Sequence, residues 1–214
     1  MKHVLIVSSC NRLMERETQR GIQDLIDLGA GHIDQTDTGD VSLARNLALS
    51  QALHLLQVSA YEIILMVDDD MGFSAEQALR LTNHVRETKV PASAAYVLKD
   101  GRLAASHLSG DRWLTGLGFL ALHRTNLEAL AAESAKFRPF KGAKGWAWEL
   151  TKSCADMHDG DDLLWQPEDY RLTRRLGGVV LLPMAVDHIK KHPLRPDEKQ
   201  LEAFIATERG KHSD

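Results

Sequence analysis

Three consecutive carboxylates, Asp68, Asp69 and Asp70, follow directly on an apolar run, Ile63-Ile-Leu-Met-Val67. Side chains this close repel one another and raise their own pKa values unless a cation lies among them. Alternation along an extended chain points Asp68 and Asp70 one way and Asp69 the other. Hard oxygen ligands left open to water and substrate suit Mg2+ or Mn2+ bridging a diphosphate, where the ion neutralises charge on a departing phosphate. The competing reading is a solvated acidic turn that caps the next helix. Ser74, with Gln77 three residues on, already supplies a capping box there.

Other stretches carry residues able to do chemistry, each with a plainer alternative. His188, in Val186-Asp-His-Ile-Lys-Lys-His192, is a third ligand that would tilt the metal from magnesium toward manganese, or an exposed loop histidine. Lys190 and Lys191 screen phosphates or are ordinary solvated charges. Glu168-Asp169 opens a helix, where a carboxylate takes a proton from an incoming hydroxyl or compensates the helix dipole. Arg45, inside an otherwise apolar helix, reaches a carboxylate or phosphate, or snorkels to the surface. Ser8, Ser9 and Asn11 hydrogen-bond a nucleobase or ribose, or make turns. Gly116 and Gly118 let backbone approach a ligand, or bend a sheet. Trp146 and Trp148, near Gly142 and Gly145, form an aromatic lid for a sugar or base, or a packed flap.

The elements that would position these residues alternate regularly in the first half. Continuous apolar runs at His3–Ser9 and Ile63–Val67 read as strands buried on both faces. Helices are expected over Met14–Leu28, Leu43–Val58 and Ser74–Glu87, with a weak strand at His32–Thr36. Strand, helix, strand, helix, strand implies a parallel sheet wrapped by helices, with right-handed crossovers bringing the strand ends to one edge. Ligands bind at such an edge. A strand at Pro91–Leu98 leads into a turn at Lys99–Arg102.

Beyond it the texture is mixed and loop-rich. Short strands are expected at Arg102–His107, Trp113–Thr115 and Phe119–Leu122. An Ala-rich helix covers Thr125–Ala135, and Lys136–Glu149 reads as a loop. Asp156–Asp162 is polar and expected to be mobile. A helix at Pro167–Leu176, a strand at Val179–Leu182 and a helix at Pro196–Glu208 complete the chain.

The 214 residues, 43% of them hydrophobic, support one domain with a real core, and the net charge of −4 gives no global reason to expect polyanion binding. Two cysteines, Cys10 and Cys154, are no disulfide framework. No signal peptide is expected, since Met1-Lys-His-Val-Leu-Ile-Val-Ser8 is too short in apolar length and lacks a cleavage site, and no stretch approaches the roughly 20 apolar residues that span a bilayer. A soluble cytoplasmic protein is expected.

The order of the motifs resembles the GT-A-type glycosyltransferases, particularly the broad family-two-like group that uses nucleotide-diphosphate sugars. The resemblance rests on Arg45-Asn46 in a helix, a strand ending in the DxD of Asp68–Asp70, Thr115-Gly-Leu-Gly-Phe119, Pro167-Glu-Asp-Tyr170, and Val186-Asp-His188. It spans roughly residues 3–192.

It implies a GT-A-like α/β single domain over 1–214, with a mostly parallel central sheet flanked by helices. Residues up to about 100 form a nucleotide-binding half and the rest a loop-rich acceptor half. The implied reaction moves a sugar from a UDP- or GDP-sugar to a hydroxyl, with Mn2+ or Mg2+. In it Asp68 and Asp70, with His188, face the metal, and Ser8, Ser9, Asn11, Arg45, Asp68 and Asp69 lie on the nucleotide side. Gly116, Gly118, Trp146 and Trp148 face the sugar or acceptor.

Asp169, with Glu168 beside it, is the base if the reaction inverts the anomeric centre; if it retains, Asp169 positions the acceptor. The acceptor is a saccharide, protein, metabolite or modified nucleic-acid base. A sugar-phosphate nucleotidyltransferase is a second reading, weakened because Ser8-Ser-Cys-Asn-Arg12 has no glycine to cradle a phosphate. A non-catalytic nucleotide-sugar or metal-binding module is a third.

Overall fold

A computed structural model of the chain describes residues 1–10, 13–36, 40–97, 102–141, 143–152, 154–159, 162–189 and 198–210. The first half runs β1 (Val4–Cys10), α1 (Arg16–Asp27), β2 (Gly31–Thr36), α2 (Val41–Val58), β3 (Ile63–Asp68), β4 (Met71–Gly72), α3 (Ala75–Thr88) and β5 (Ala92–Ala95). The second runs β6 (Ala105–Ser109), β7 (Arg112–Thr115), β8 (Phe119–His123), α4 (Arg124–Ala132), β9 (Lys136–Phe137), β10 (Ala147–Trp148), β11 (Cys154–Asp159), β12 (Asp162–Gln166), α5 (Glu168–Arg175), β13 (Val179–Ala185), β14 (Asp187–His188) and α6 (Glu198–Gly210).

Eight strands form one sheet in the order β2-β1-β3-β8-β5-β13-β7-β6. The pairs β2-β1, β1-β3 and β5-β13 are parallel. β8 lies antiparallel between β3 and β5, and the β6–β7 hairpin joins antiparallel to the start of β13. The protein is thus α/β, a mixed central sheet flanked, among the described residues, by six helices.

Alternation along the central strands builds a core on each face. Leu5, Val7, Ile64 and Met66 pack with α2, α4, α5 and α6, around the fully buried Trp113. Val4, Ile6, Ile63, Leu65 and Val67 pack with α1 and α3. Each fully buried aliphatic side chain contributes about 1.5–3 kcal/mol, so the strands are held mainly by these faces.

The helix starts follow the local chemistry. The Leu43 amide donates to Asp40 Oδ1 at 2.8 Å, capping α2. Ser74 and Gln77 form the expected capping box at α3. Among the described residues, no helix is long and apolar enough to cross a membrane.

Several local expectations need correction. Lys136–Glu149 is not all loop: it carries β9 and β10, which pair with each other, and the β11–β12 ribbon follows. Of the polar stretch Asp156–Asp162, Asp156–Asp159 and Asp162 belong to that ribbon, which pairs from Cys154↔Gln166 to Asp159↔Asp162; Gly160 and Asp161 lie outside the described residues. β13 continues past Leu182 to Ala185, with a register shift between them. Pro183 has no amide hydrogen to give the ladder, so an irregularity belongs there. The turn at Lys99–Arg102 falls partly outside the described residues. Its flanks do close, through the antiparallel bridge Val97↔Leu103.

Candidate active site at the carboxyl edge of the sheet

Asp68 ends β3 opposite Ser9 of β1. The Ser9 hydroxyl donates to its carboxylate at 3.4 Å, and the Asp68 amide donates to the Gly118 carbonyl at 3.0 Å. Both carboxylate oxygens are held by Arg45, whose Nη2 donates to them at 2.7 and 3.0 Å. Nη1 of the same guanidinium donates to Glu168 Oε1 at 2.7 Å. Arg45 is therefore a buried tie between β3 and α5, not a snorkelling surface charge. Burial alone would lower its pKa; Asp68 above all, with Glu168 and Asp169, outweighs that and raises it.

Asn46, its neighbour, serves a different purpose. Its side-chain oxygen accepts the amides of Leu150 and Thr151, and its nitrogen donates to the Thr151 carbonyl. The Arg-Asn pair thus holds the site with one residue and the 149–152 segment with the next.

Asp70 Oδ2 lies 3.5 Å from His188 Nε2. β14 places the two together through the pairing His188↔Met71, and the Ile189 amide donates to the Asp70 carbonyl at 2.6 Å. The other ring nitrogen, Nδ1, is 2.9 Å from the Val97 carbonyl, so Nδ1 carries the proton. In the neutral ring, the Nε2 lone pair then faces Asp70. A histidine tied to a backbone carbonyl in this way is the usual orientation of a metal-ligating imidazole. The backbone carbonyl of Asp69, between them, accepts the Glu15 amide and the Thr18 hydroxyl, anchoring the start of α1.

Tyr96 connects the two sides of this cluster, and sequence reasoning treats it only as a strand residue. Its ring meets His188 edge-on, 5.3 Å between centroids. Its hydroxyl accepts the Gly118 amide at 3.4 Å. Burial, then the nearby Asp68 and Asp169 charges, raise its pKa, so the phenol keeps its proton. One clue was available: Tyr96 is the large residue in the otherwise small run Ala92-Ser-Ala-Ala-Tyr96.

The glycines make room for these side chains. A Cβ on Gly116 would overlap the Tyr96 hydroxyl and lie 3.6 Å from Asp169 Oδ2. One on Gly118 would lie 3.0 Å from Met71 Sδ and 3.3 Å from Asp68 Oδ2. Asp169 Oδ1 accepts the amide of Tyr170 at 2.7 Å. Burial raises the Asp169 pKa, Arg45 opposes that, and Glu168 and Asp68 reinforce it.

Other sequence candidates lie apart. Ser8 is fully buried one register step down β1. Its hydroxyl donates to Asp34 Oδ1 at 2.8 Å and lies 2.9 Å from His32 Nε2. Burial lowers the His32 pKa against the opposing Asp34 charge, so the ring is neutral and its Nε2–H donates to Ser8. Asn11, Gly142, Lys190 and Lys191 lie outside the described residues.

Trp148 packs against the core, with its amide on Ser50 Oγ and its ring 5.4 Å from His54. His54 is nine residues along α2 from Arg45, roughly 13 Å of helix. Trp146 is exposed beside Arg138.

Among the described residues, no three His, Cys, Asp or Glu side chains form a ready metal shell. Asp70 and His188 fit a divalent cation as two ligands; Asp68 is engaged by Arg45. A cavity of about 680 Å³ between α1 and α3 includes neither, so cavity size does not mark this site. A smaller one, about 340 Å³, adjoins Asn46 and is lined by Asp40, Ser42, Phe137, Glu149 and Thr151.

No family model matches the chain, and no curated protein does. Among solved structures it is similar to A197 from STIV, with a TM-score of 0.51 at 16% identity, over 92% of this chain and 87% of that one. That likeness concerns the fold. A glycosyltransferase involved in glycosylation of the major capsid of PBCV-1 matches at a TM-score of 0.39 and 13% identity, over 59% of this chain and 62% of that one. The 2-C-methyl-D-erythritol 4-phosphate cytidylyltransferase of Thermus thermophilus matches at 0.39 and 14% identity, over 95% of this chain and 98% of that one.

Proposed function

We propose that the protein transfers a sugar from a nucleotide-diphosphate sugar, UDP- or GDP-linked, to a hydroxyl acceptor. One observation carries the reading. Side chains from distant stretches of chain meet at the carboxyl edge of the sheet: Asp68 at the end of β3, Asp70 against His188, and Glu168-Asp169 at the start of α5. Among the described residues of this cluster the carboxylates outnumber the guanidinium of Arg45, so an anionic diphosphate calls for additional positive charge to dock there. Asp70 and His188 would hold a divalent cation, Mn2+ or Mg2+, which when bound supplies that charge.

The chain's own residues account for the remaining demands. Asp169, with its raised pKa, accepts the proton of the attacking hydroxyl. The new glycosidic C–O bond forms as the anomeric carbon–phosphate oxygen bond breaks and the nucleoside diphosphate departs. Arg45 holds Glu168, and with it the first turn of α5, against Asp68. Tyr96, protonated and wedged against Gly116 and Gly118, fixes the floor between Asp169 and His188.

The test is a thermal-shift screen of nucleotide sugars with and without Mn2+. A ligand that binds the folded state raises the midpoint, by an amount that grows with concentration above Kd. One UDP- or GDP-sugar raising it only with metal, and a loss of that response in His188→Ala, is the expected result. Pyrophosphate release from a nucleoside triphosphate and a sugar phosphate would replace this reading with nucleotidyl transfer. No response to any diphosphate ligand would remove both.

A further inference from the structure

We propose that the flap formed by β9, β10 and the described residues between them, 138–141 and 143–146, is a docking surface for single-stranded nucleic acid. The surface is separate from the carboxylate cluster and needs none of the chemistry above. Between Glu133 and Glu149 the chain carries Lys136, Arg138, Lys141 and Lys144 and no carboxylate, in a protein of net charge −4. All four cations are exposed. Two of the large apolar side chains that the fold leaves in solvent are here as well, Phe140 at 70% exposure and Trp146 at 52%.

The flanking acids do not neutralise the patch. Glu149 pairs with Lys152 at 3.2 Å, and Glu133 and Glu149 both act on Arg175.

The pairing of cations with rings identifies the partner. The Arg138 guanidinium lies over Trp146, 4.9 Å from the ring centroid, and Lys136 Nζ over Trp148 at 4.8 Å. A guanidinium on one face of Trp146 leaves the other for an unpaired base, and base–aromatic stacking tolerates any sequence because every base has a π face. Lys141 and Lys144 then meet the phosphates. A bilayer fits less well: Trp146 would have to carry its guanidinium into the acyl boundary, leaving Phe140 as the unencumbered apolar insert of this flap. A duplex offers no unstacked base to the ring.

The test uses the whole protein and a labelled oligothymidylate, followed by anisotropy and by tryptophan fluorescence. Saturable binding is expected at about 50 mM salt, weakening with a log–log slope of roughly −0.7 per phosphate neutralised. Trp146→Ala is expected to weaken binding by about tenfold. Lys141→Ala with Lys144→Ala is expected to reduce the slope by about 1.4. Because these side chains are exposed, unchanged thermal midpoints separate lost binding from lost fold. The proposal is overturned by absence of saturable binding at low salt, by wild-type affinity in Trp146→Ala, by a duplex binding as tightly as the single strand, or by anionic phospholipid vesicles binding where the oligonucleotide does not.

Discussion

Asp169 is half-buried beside the glycine bend with its own first turn of helix drawn toward Arg45. Burial lifts its folded-state pKa above the unfolded value, which is roughly 3.9. A carboxyl shifted upward binds its proton more tightly folded than unfolded. Its contribution to stability is therefore complete below the unfolded pKa and is lost as pH rises through the folded one. Asp169→Asn removes that loss while keeping an oxygen for the Tyr170 amide. The variant's thermal midpoint is expected to exceed the parent's at pH 7 and to meet it near pH 3. Equal midpoints across that range would show that the carboxyl is not strained. The same substitution removes the proposed proton acceptor, so kcat for the proposed transfer should fall by about 10²–10⁴ with donor binding retained. In the parent, the acid limb of the rate profile should rise through a pKa above the usual carboxylate range.

The bend that carries Gly116 and Gly118 makes sense only with β5 beside it. Tyr96 fills the space a side chain at 116 would need, and its hydroxyl takes the Gly118 amide. Gly116→Ala is expected to cost about 1–3 kcal/mol by overpacking a fully buried ring. Tyr96→Phe in the same chain removes the hydroxyl and leaves only the ring carbon Cζ, 2.9 Å from a Cβ at 116, so the double variant should be more stable than the sum of the single effects. Additive denaturant midpoints would mean that the bend yields without pressing on the ring.

This coupling was illegible in the sequence, where Tyr96 reads as one more strand residue and the glycines as room for a ligand. Ile63–Val67 and the Ser74 box were legible because burial on both faces and capping are local demands, written in adjacent residues. The antiparallel course of β8 was not, since Phe119-Leu-Ala-Leu-His123 reads the same in either direction. Nor was the β11–β12 ribbon, whose polar stretch gives no periodicity to read. Asp68, Asp70 and Glu168-Asp169 could be singled out by type. That one guanidinium joins Asp68 to Glu168 could not, because it depends on where α5 lands.

At the scale of the whole molecule, neither half of the chain is a structural unit. β8 of the second half lies between β3 and β5 of the first, and β13 pairs with β5. Arg45 ties the same two halves through the side chains of Asp68 and Glu168, which are 23% and 16% exposed. Removing a buried charge leaves its partners desolvated and unpaired, which costs about 3–5 kcal/mol where the burial is complete. Arg45→Ala is thus expected to lower unfolding free energy by about 3 kcal/mol, at the low end of that range because Asp68 retains water. Arg45→Lys should recover only part, since a single ammonium nitrogen replaces the two, Nη1 and Nη2, that meet Glu168 and Asp68 separately. Because the sheet interleaves the halves, the loss should appear as a shift of one cooperative transition, with the denaturant slope unchanged and the same midpoint by tryptophan fluorescence and by circular dichroism. Two separated transitions in the variant would mean that the guanidinium, rather than the shared sheet, is what makes the halves unfold together.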